Sequence, residues 1–177
     1  IVHHLVSDGW SSGVIIDEVA ALYSAYSAGQ PSPLPPLPLQ YADYVEWQQQ
    51  VLTGPAFDAD VAFWRDTLDG VPTLTLPTDH PRPPFPSYAG SSERFVLPHV
   101  LTNQLNDLSR REGATLFMTL LAAFAVLLSR YSGQHDLAIG TTVANRPRTT
   151  LESLVGFFTN MLAMRMNVDG ELGFDAF

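Results

Sequence analysis

His3-His4-Leu5-Val6-Ser7-Asp8-Gly9-Trp10-Ser11 opens the chain, between the apolar pair Ile1-Val2 and a stretch with helical periodicity. The pattern predicts a strand-to-helix turn, a place where a rigid backbone can hold an exposed side chain. Histidine is the side chain best suited to exchange a proton near neutrality. If the strand continues through His3 and His4, their rings point to opposite faces, so the two are not equivalent. The plain alternative makes them polar residues at a strand end, Asp8 a helix-entry carboxylate and Gly9 a turn residue.

Outward from this turn, composition removes much of enzymology. The 177 residues are about the size of one domain. All 9 cationic side chains are arginine and 18 side chains are acidic, for a net charge of −9. Such a balance argues against nucleic acid as partner, since phosphate backbones call for a basic surface. Lysine and cysteine are both absent. A lysine Schiff base, a phosphate-loop lysine, a thiol nucleophile, a disulfide and a thiolate zinc site are thereby excluded. His80, His99 and His135 stand in unrelated contexts, so no metal site is expected. Hydrophobic residues make up 46% and charged ones 15%, the balance of a globular chain with ample core material. The longest apolar stretch, residues 116–128, is shorter than the roughly 20 residues of a membrane span and reads as a buried helix. No signal peptide precedes the motif and the first residue is not methionine, so a cytoplasmic internal fragment is expected.

Two proline clusters punctuate the chain, Pro31 to Pro38 and Pro77 to Pro86. Proline lacks the N–H that helices and sheets use, so both read as connectors. Before the first, Ile15, Val19, Leu22 and Tyr26 recur at helical spacing, with Ser11 or Ser12 as N-cap and Gly29 as terminator. Two more helices are predicted between the clusters, from about residue 40 to 52 and from Pro55 to just before Gly70, the latter with proline inside the start and glycine past the end. Beyond the second cluster, residues 93–97 read as a strand. A helix from Pro98 closes at Gly113, and Thr115 caps the apolar helix. Residues 136–144 and 161–168 read as strands, the latter with side chains alternating across two faces.

Three motifs in order then carry a resemblance. The opening string resembles the HHxxxDG motif of condensation domains of nonribosomal peptide synthetases, a motif shared with acyltransferases that resemble chloramphenicol acetyltransferase. Tyr41-Ala42-Asp43-Tyr44-Val45-Glu46-Trp47 is similar to the family's YxDYAVW motif. Val155-Gly156-Phe157-Phe158-Thr159-Asn160, with Arg165, is similar to (I/V)GxFVN…R. The resemblance implies a mixed α/β (α+β), chloramphenicol acetyltransferase-like two-lobed fold. Residues 1–76 would end the N-terminal lobe, 77–91 would cross over, and 92–177 would begin the C-terminal lobe.

The implied activity is peptide-bond formation. An amine on a downstream carrier domain attacks an acyl or peptidyl thioester on an upstream one, both delivered on the carriers' 4'-phosphopantetheine arms. The chain itself then binds no cofactor, and an adenylation domain adjoins it in a longer polypeptide. Neither nucleic acid nor membrane is expected as a partner.

By resemblance His4 handles the proton or orients the amine, and His3 is more structural. Asp8 would pair with an arginine, with Arg146 the first candidate and Arg165 the second. The Gly9 N–H would face the oxyanion, at a position where a side chain would most obstruct close backbone approach. Trp10, Ser11, Tyr41, Trp47 and Asn160 would support the site, Tyr41 and Trp47 mainly as structure and Asn160 through its amide. Trp10, Trp64, Phe157 and Phe158 would either line a passage or fill the core.

An α-amino group titrates near pH 8 and a thioester is already activated, so strong base catalysis is not required. General-base help of roughly 10²–10⁴ is smaller than the effective molarity, on the order of 10⁵ M or more, available from positioning. Epimerisation domains share HHxxxDG but continue differently after the glycine. Heterocyclisation domains replace the histidines by aspartates. A non-catalytic carrier-docking scaffold is the alternative from a different functional class.

Overall fold

The computed structural model describes residues 1–85, 87–168, 170 and 173. Pro86 of the second proline cluster, and Asp175 and Phe177 at the end of the expected C-terminal lobe, lie outside the described residues. Seven regular elements follow in chain order: α1 (Gly9–Ser27), α2 (Tyr41–Val51), α3 (Pro55–Leu68), α4 (His99–Arg111), α5 (Leu116–Ser132), β1 (Asp136–Val143) and β2 (Asn160–Asn167). A single 3-10 turn, Thr149–Leu151, stands between the strands. The strands pair in a two-stranded sheet.

Local chemistry sets most helix boundaries. Helix α1 starts earlier than expected because Asp8, rather than Ser11 or Ser12, is its N-cap. Asp8 is extended, at φ −119° and ψ −176°, and its carboxylate accepts the Ser11 N–H. Carboxylate and hydroxyl cap equally well, and the Ser11 hydroxyl is engaged with Gly156 and Arg146. Pro55 opens α3, and the Thr115 hydroxyl accepts the Met118 N–H to open α5. Gly29, Gly70 and Gly113 each follow a helix end with positive φ.

Four expectations are corrected. Ile1 and Val2 form no strand, and His3 to Val6 make a turn closed by the Val6 N–H on the His3 carbonyl at 3.1 Å. Residues 93–97 form no strand either, and Phe95 and Val96 are exposed. An extended segment needs a neighbouring strand to make a ladder, and none of the described residues supplies one. Helix α5 is not buried all round. Thr119, Ala125 and Ser129 form its buried stripe, while Phe117, Met118, Leu120, Phe124 and Leu127 are exposed. An all-round apolar helix needs cover on every side, and the described residues cover one. Burial along β2 does not alternate cleanly. No single helix among the described residues is long and apolar enough to cross a membrane.

The chain divides into two compact units that interleave in sequence. The first joins Ile1–Asp69 to Gly140–Ala163, and the second joins residues 70–139 to 164–177. The first unit has a core of Tyr44, Leu151, Leu154 and Phe158, with Leu39, Tyr41, Val45 and Trp47 packed against it. In α1, Ile15 and Leu22 are half-buried, whereas Val19 and Tyr26 of the same predicted face are exposed. In the second unit Ala125, Leu137 and Val168 form the core. There the Ser109 and Thr119 hydroxyls share a buried hydrogen bond of 2.7 Å that links α4 to α5.

Candidate active site

The first unit gathers the opening motif, the start of α1 and residues 145–159 around one buried carboxylate. One Asp8 oxygen, Oδ1, accepts the Ser11 N–H at 2.8 Å and the Arg146 guanidinium at 3.4 Å. The other, Oδ2, accepts the Phe158 N–H at 3.0 Å and the Thr159 hydroxyl at 3.3 Å. Burial alone would push this carboxyl up. Hydrogen bonds from Ser11 and Phe158, with the charge of Arg146, outweigh it and hold Asp8 well below the usual carboxylate range.

Arg146 reaches Asp8 through a turn that begins at the end of β1. Asn145 takes a left-handed backbone, φ 50°, a conformation asparagine tolerates better than most residues, and its side-chain amide donates to the Tyr44 hydroxyl at 3.3 Å. The Arg146 guanidinium then donates to the carbonyls of Leu151 and Leu154 and, at 2.9 Å, to the Ser11 hydroxyl. It lies over the Phe158 ring, 3.9 Å from the centroid. Arg165, the second candidate, does not serve this site. It belongs to the second unit, where it makes a two-pronged pair with Asp136 at 2.9 and 2.6 Å and draws the Asp136 carboxyl down.

Ser11 is a centre of the arrangement rather than a helix cap. Its Oγ donates to the Gly156 carbonyl at 2.8 Å and accepts the Gly156 N–H at 3.1 Å. Gly156 is the glycine on which packing depends: a Cβ there would lie 2.2 Å from Cδ2 of Tyr41 and 3.0 Å from Cε2 of Phe158. At Gly9, the first residue of α1, nothing lies within 4 Å of the equivalent position. The expected obstruction at Gly9 is thus corrected: among the described residues nothing crowds that position, and the close approach is at Gly156.

The histidines differ, through the turn rather than through strand alternation. His3 Nδ1 accepts the Leu5 N–H at 2.9 Å, so its neutral ring carries the proton on Nε2. His4 Nδ1 lies 2.6 Å from the Ser7 carbonyl, which only accepts, so its proton is on Nδ1 and its Nε2 lone pair is left open. The His4 ring is exposed and meets Phe157 edge to face, 5.1 Å between centroids.

The supporting residues divide by role. Exposed Trp10 donates its indole N–H to the Glu152 carbonyl at 2.9 Å. Tyr41 donates its hydroxyl to the Phe157 carbonyl at 2.7 Å. Trp47 packs on Tyr44, with Arg148 over its ring at 5.1 Å. Phe158 is core, and Trp64 pairs with Phe63 in α3. Asn160 is exposed, and its side-chain oxygen accepts the Met161 N–H.

Two contributions escaped sequence reading. Thr159 stands where the resembling motif has valine, and that departure was the available signal for a hydroxyl on Asp8. The packing of Tyr41 on Gly156 joins residues far apart in the chain and left no local signal.

Comparison with known proteins gives a consistent result. The family model described as Condensation domain matches residues 1–177. The chain is 50% identical over 171 residues to a linear gramicidin synthase of Brevibacillus parabrevis, covering 96% of this chain and 2% of that protein. It is 46% identical over 173 residues to phosphinothricin tripeptide synthetase PhsC of Streptomyces viridochromogenes, covering 97% of this chain and 16% of that one. Among solved structures, the X-domain from teicoplanin biosynthesis matches with a TM-score of 0.88 and 31% identity, over 99% of this chain and 40% of that chain. The first condensation domain of the CDA synthetase matches in fold, with a TM-score of 0.84 at 23% identity over 99% of this chain and 39% of that one. The chain thus spans a small part of these synthetases and about two fifths of the solved domains.

Proposed function

The chain belongs to the condensation-domain family, and from that premise we propose that it is the motif-bearing part of a longer domain that forms peptide bonds. Its mixed α/β fold is the chloramphenicol acetyltransferase-like one of that family. In the reaction a carrier-bound amine attacks a carrier-bound thioester carbonyl. A C–N bond forms, the C–S bond breaks, and the proton shed by the amine passes to the leaving thiolate.

His4 is the residue that handles that proton. The observation that carries this reading is the bond from its Nδ1 to the Ser7 carbonyl, which leaves Nε2 exposed as an acceptor. Nε2 takes the amine proton as the C–N bond forms and returns it to sulfur. The imidazole contributes roughly 10²–10⁴, and the tethering of both reactants contributes more. Asp8 touches no reacting atom. It locks the start of α1 to the 156–159 segment through Ser11, Phe158, Thr159 and Arg146. In this reading the Gly9 N–H, at the positive end of α1, meets the developing oxyanion.

Both substrates arrive on the phosphopantetheine arms of carrier domains, upstream and downstream, and an adenylation domain adjoins in the same cytoplasmic polypeptide. Epimerisation is not favoured, because Trp10 and Ser11 follow the glycine as in peptide-forming domains.

The test is amide formation between two loaded carriers by the full-length domain and its His4→Ala variant. A loss of about 10²–10⁴ in kcat is expected. An unchanged rate with a poorly nucleophilic acceptor removes His4 from the chemistry. No amide from the unaltered domain, with carriers still bound, replaces this reading with the docking scaffold. Loss of α-deuterium from a carrier-bound aminoacyl group to solvent without amide replaces it with the epimerase.

A further inference from the structure

We infer that Phe157 sets the orientation of the His4 imidazole and is thereby a positioning residue for the reaction, an inference that rests on the proposed role of His4. Phe157 stands between two buried residues, Gly156 and Phe158, yet is itself 41% exposed. An exposed phenyl ring in the middle of a core segment is held outward by everything around it.

The backbone on both sides is pinned. The Gly156 N–H and carbonyl both bond Ser11 Oγ, the Phe157 carbonyl accepts the Tyr41 hydroxyl at 2.7 Å, and the Phe158 N–H donates to Asp8 at 3.0 Å. The Tyr41 ring fills the space beside Gly156 where a Cβ would stand, at 2.2 Å. Turning Phe157 inward would break these bonds and displace Tyr41, so the outward direction of its side chain is fixed by the fold.

The ring it presents meets His4 at 88°, with centroids 5.1 Å apart. The polar contact of His4 is its Nδ1 bond to Ser7 at 2.6 Å. One hydrogen bond fixes one atom and leaves the ring able to swing about it. A second, perpendicular contact from a ring carried on this pinned backbone restricts that freedom and sets the direction of Nε2. Edge-to-face geometry is the favoured arrangement for such a pair. Tyr41 and Ser11 act one step further back, through Phe157.

The experiment uses the full-length condensation domain that carries this sequence, with Phe157→Leu, Phe157→Tyr, His4→Ala and the double variant His4→Ala/Phe157→Leu. Amide formation from loaded carriers gives kcat and KM, and ¹⁵N shifts of labelled histidine report the His4 ring. Leucine keeps the apolar bulk and loses the ring. It is expected to lower kcat about two- to tenfold with KM unchanged and to alter the His4 nitrogen shifts, while tyrosine restores both. On the His4→Ala background the leucine change is expected to alter kcat less than twofold.

An equal loss on that background overturns the inference, since Phe157 then acts without His4. So do unchanged kcat and unchanged His4 shifts in Phe157→Leu, even where His4→Ala itself is slow and the proposed function stands. If His4→Ala is as fast as the unaltered domain while Phe157→Leu still moves the His4 shifts, the orienting contact stands and the proposed chemistry of His4 falls.

Discussion

The guanidinium of Arg146 and the carboxylate of Asp8 meet at 3.4 Å across 138 residues of sequence, with side chains 2% and 0% exposed. A pair so deeply buried is weak evidence of net stabilisation, because desolvation of both charges offsets their attraction. Its value lies in the other hydrogen bonds: Ser11, Phe158 and Thr159 donate to the carboxylate, and the carbonyls of Leu151 and Leu154 and the Ser11 hydroxyl accept from the terminal nitrogens of the guanidinium, whose buried Nε has no partner among the described residues. These bonds hold only while both segments stay in place.

Removing one partner is therefore expected to cost much more than the pair contributes. Asp8→Ala leaves Arg146 buried and uncompensated, and about 3–5 kcal/mol of stability is expected to be lost. Urea denaturation of the full-length domain measures this. A variant as stable as the parent would show that Asp8 does not tie the segments together.

The same carboxylate predicts the acid side of the stability curve. Asp8 has a lower pKa folded than unfolded, so the unfolded chain binds more protons and stability rises with pH. Its contribution is full above the unfolded value of about 3.9 and is lost progressively as pH falls from there toward the folded value. The exposed Asp136, lowered by Arg165, acts with the same sign. Denaturation midpoints measured from pH 6 to pH 2 are expected to fall more gently in Asp8→Asn than in the parent below about pH 4. Parallel curves would refute the assignment.

Gly156→Ala tests the packing on which the exposed Phe157 depends. The new Cβ would overlap the Tyr41 ring at 2.2 Å, and overpacking of this kind costs about 1–3 kcal/mol or more. Trimming the obstacle in Gly156→Ala/Tyr41→Leu is expected to recover part of the loss in the same denaturation assay, with the Phe157 carbonyl then lacking its phenol donor. Additive losses in the double variant would place the strain elsewhere.

What the sequence revealed follows the range of the interaction. Proline at Pro55 and threonine at Thr115 act within one helical turn, and both helix starts were legible. The choice between Asp8 and Ser11 as cap was not, because both side chains are capping chemistry and the decision depends on Ser11 being taken by Gly156 and Arg146. The strand-like composition at 93–97 is local, whereas a ladder needs a partner strand. The choice of Arg146 over Arg165 depends on the left-handed turn at Asn145 and on Asp136 holding Arg165. The motif residues point to the site, but the packing of Tyr41 against Gly156 joins distant parts of the chain and leaves no local trace in the sequence.

The two histidines supply the last prediction, because their neighbours dictate opposite tautomers. Leu5 offers His3 a donor, and Ser7 offers His4 an acceptor. Long-range ¹H–¹⁵N correlation spectra at a pH where both rings are neutral are expected to show His3 protonated at Nε2 and His4 at Nδ1. The exposed His3 bond is worth about 1 kcal/mol at most, so His3→Ala is expected to leave kcat within roughly tenfold of the parent, above the 10²–10⁴ loss expected for His4→Ala. If both rings carry the proton on Nε2, His4 offers no lone pair at its exposed nitrogen. It then cannot take a proton from the amine in that form, whatever its position in the motif.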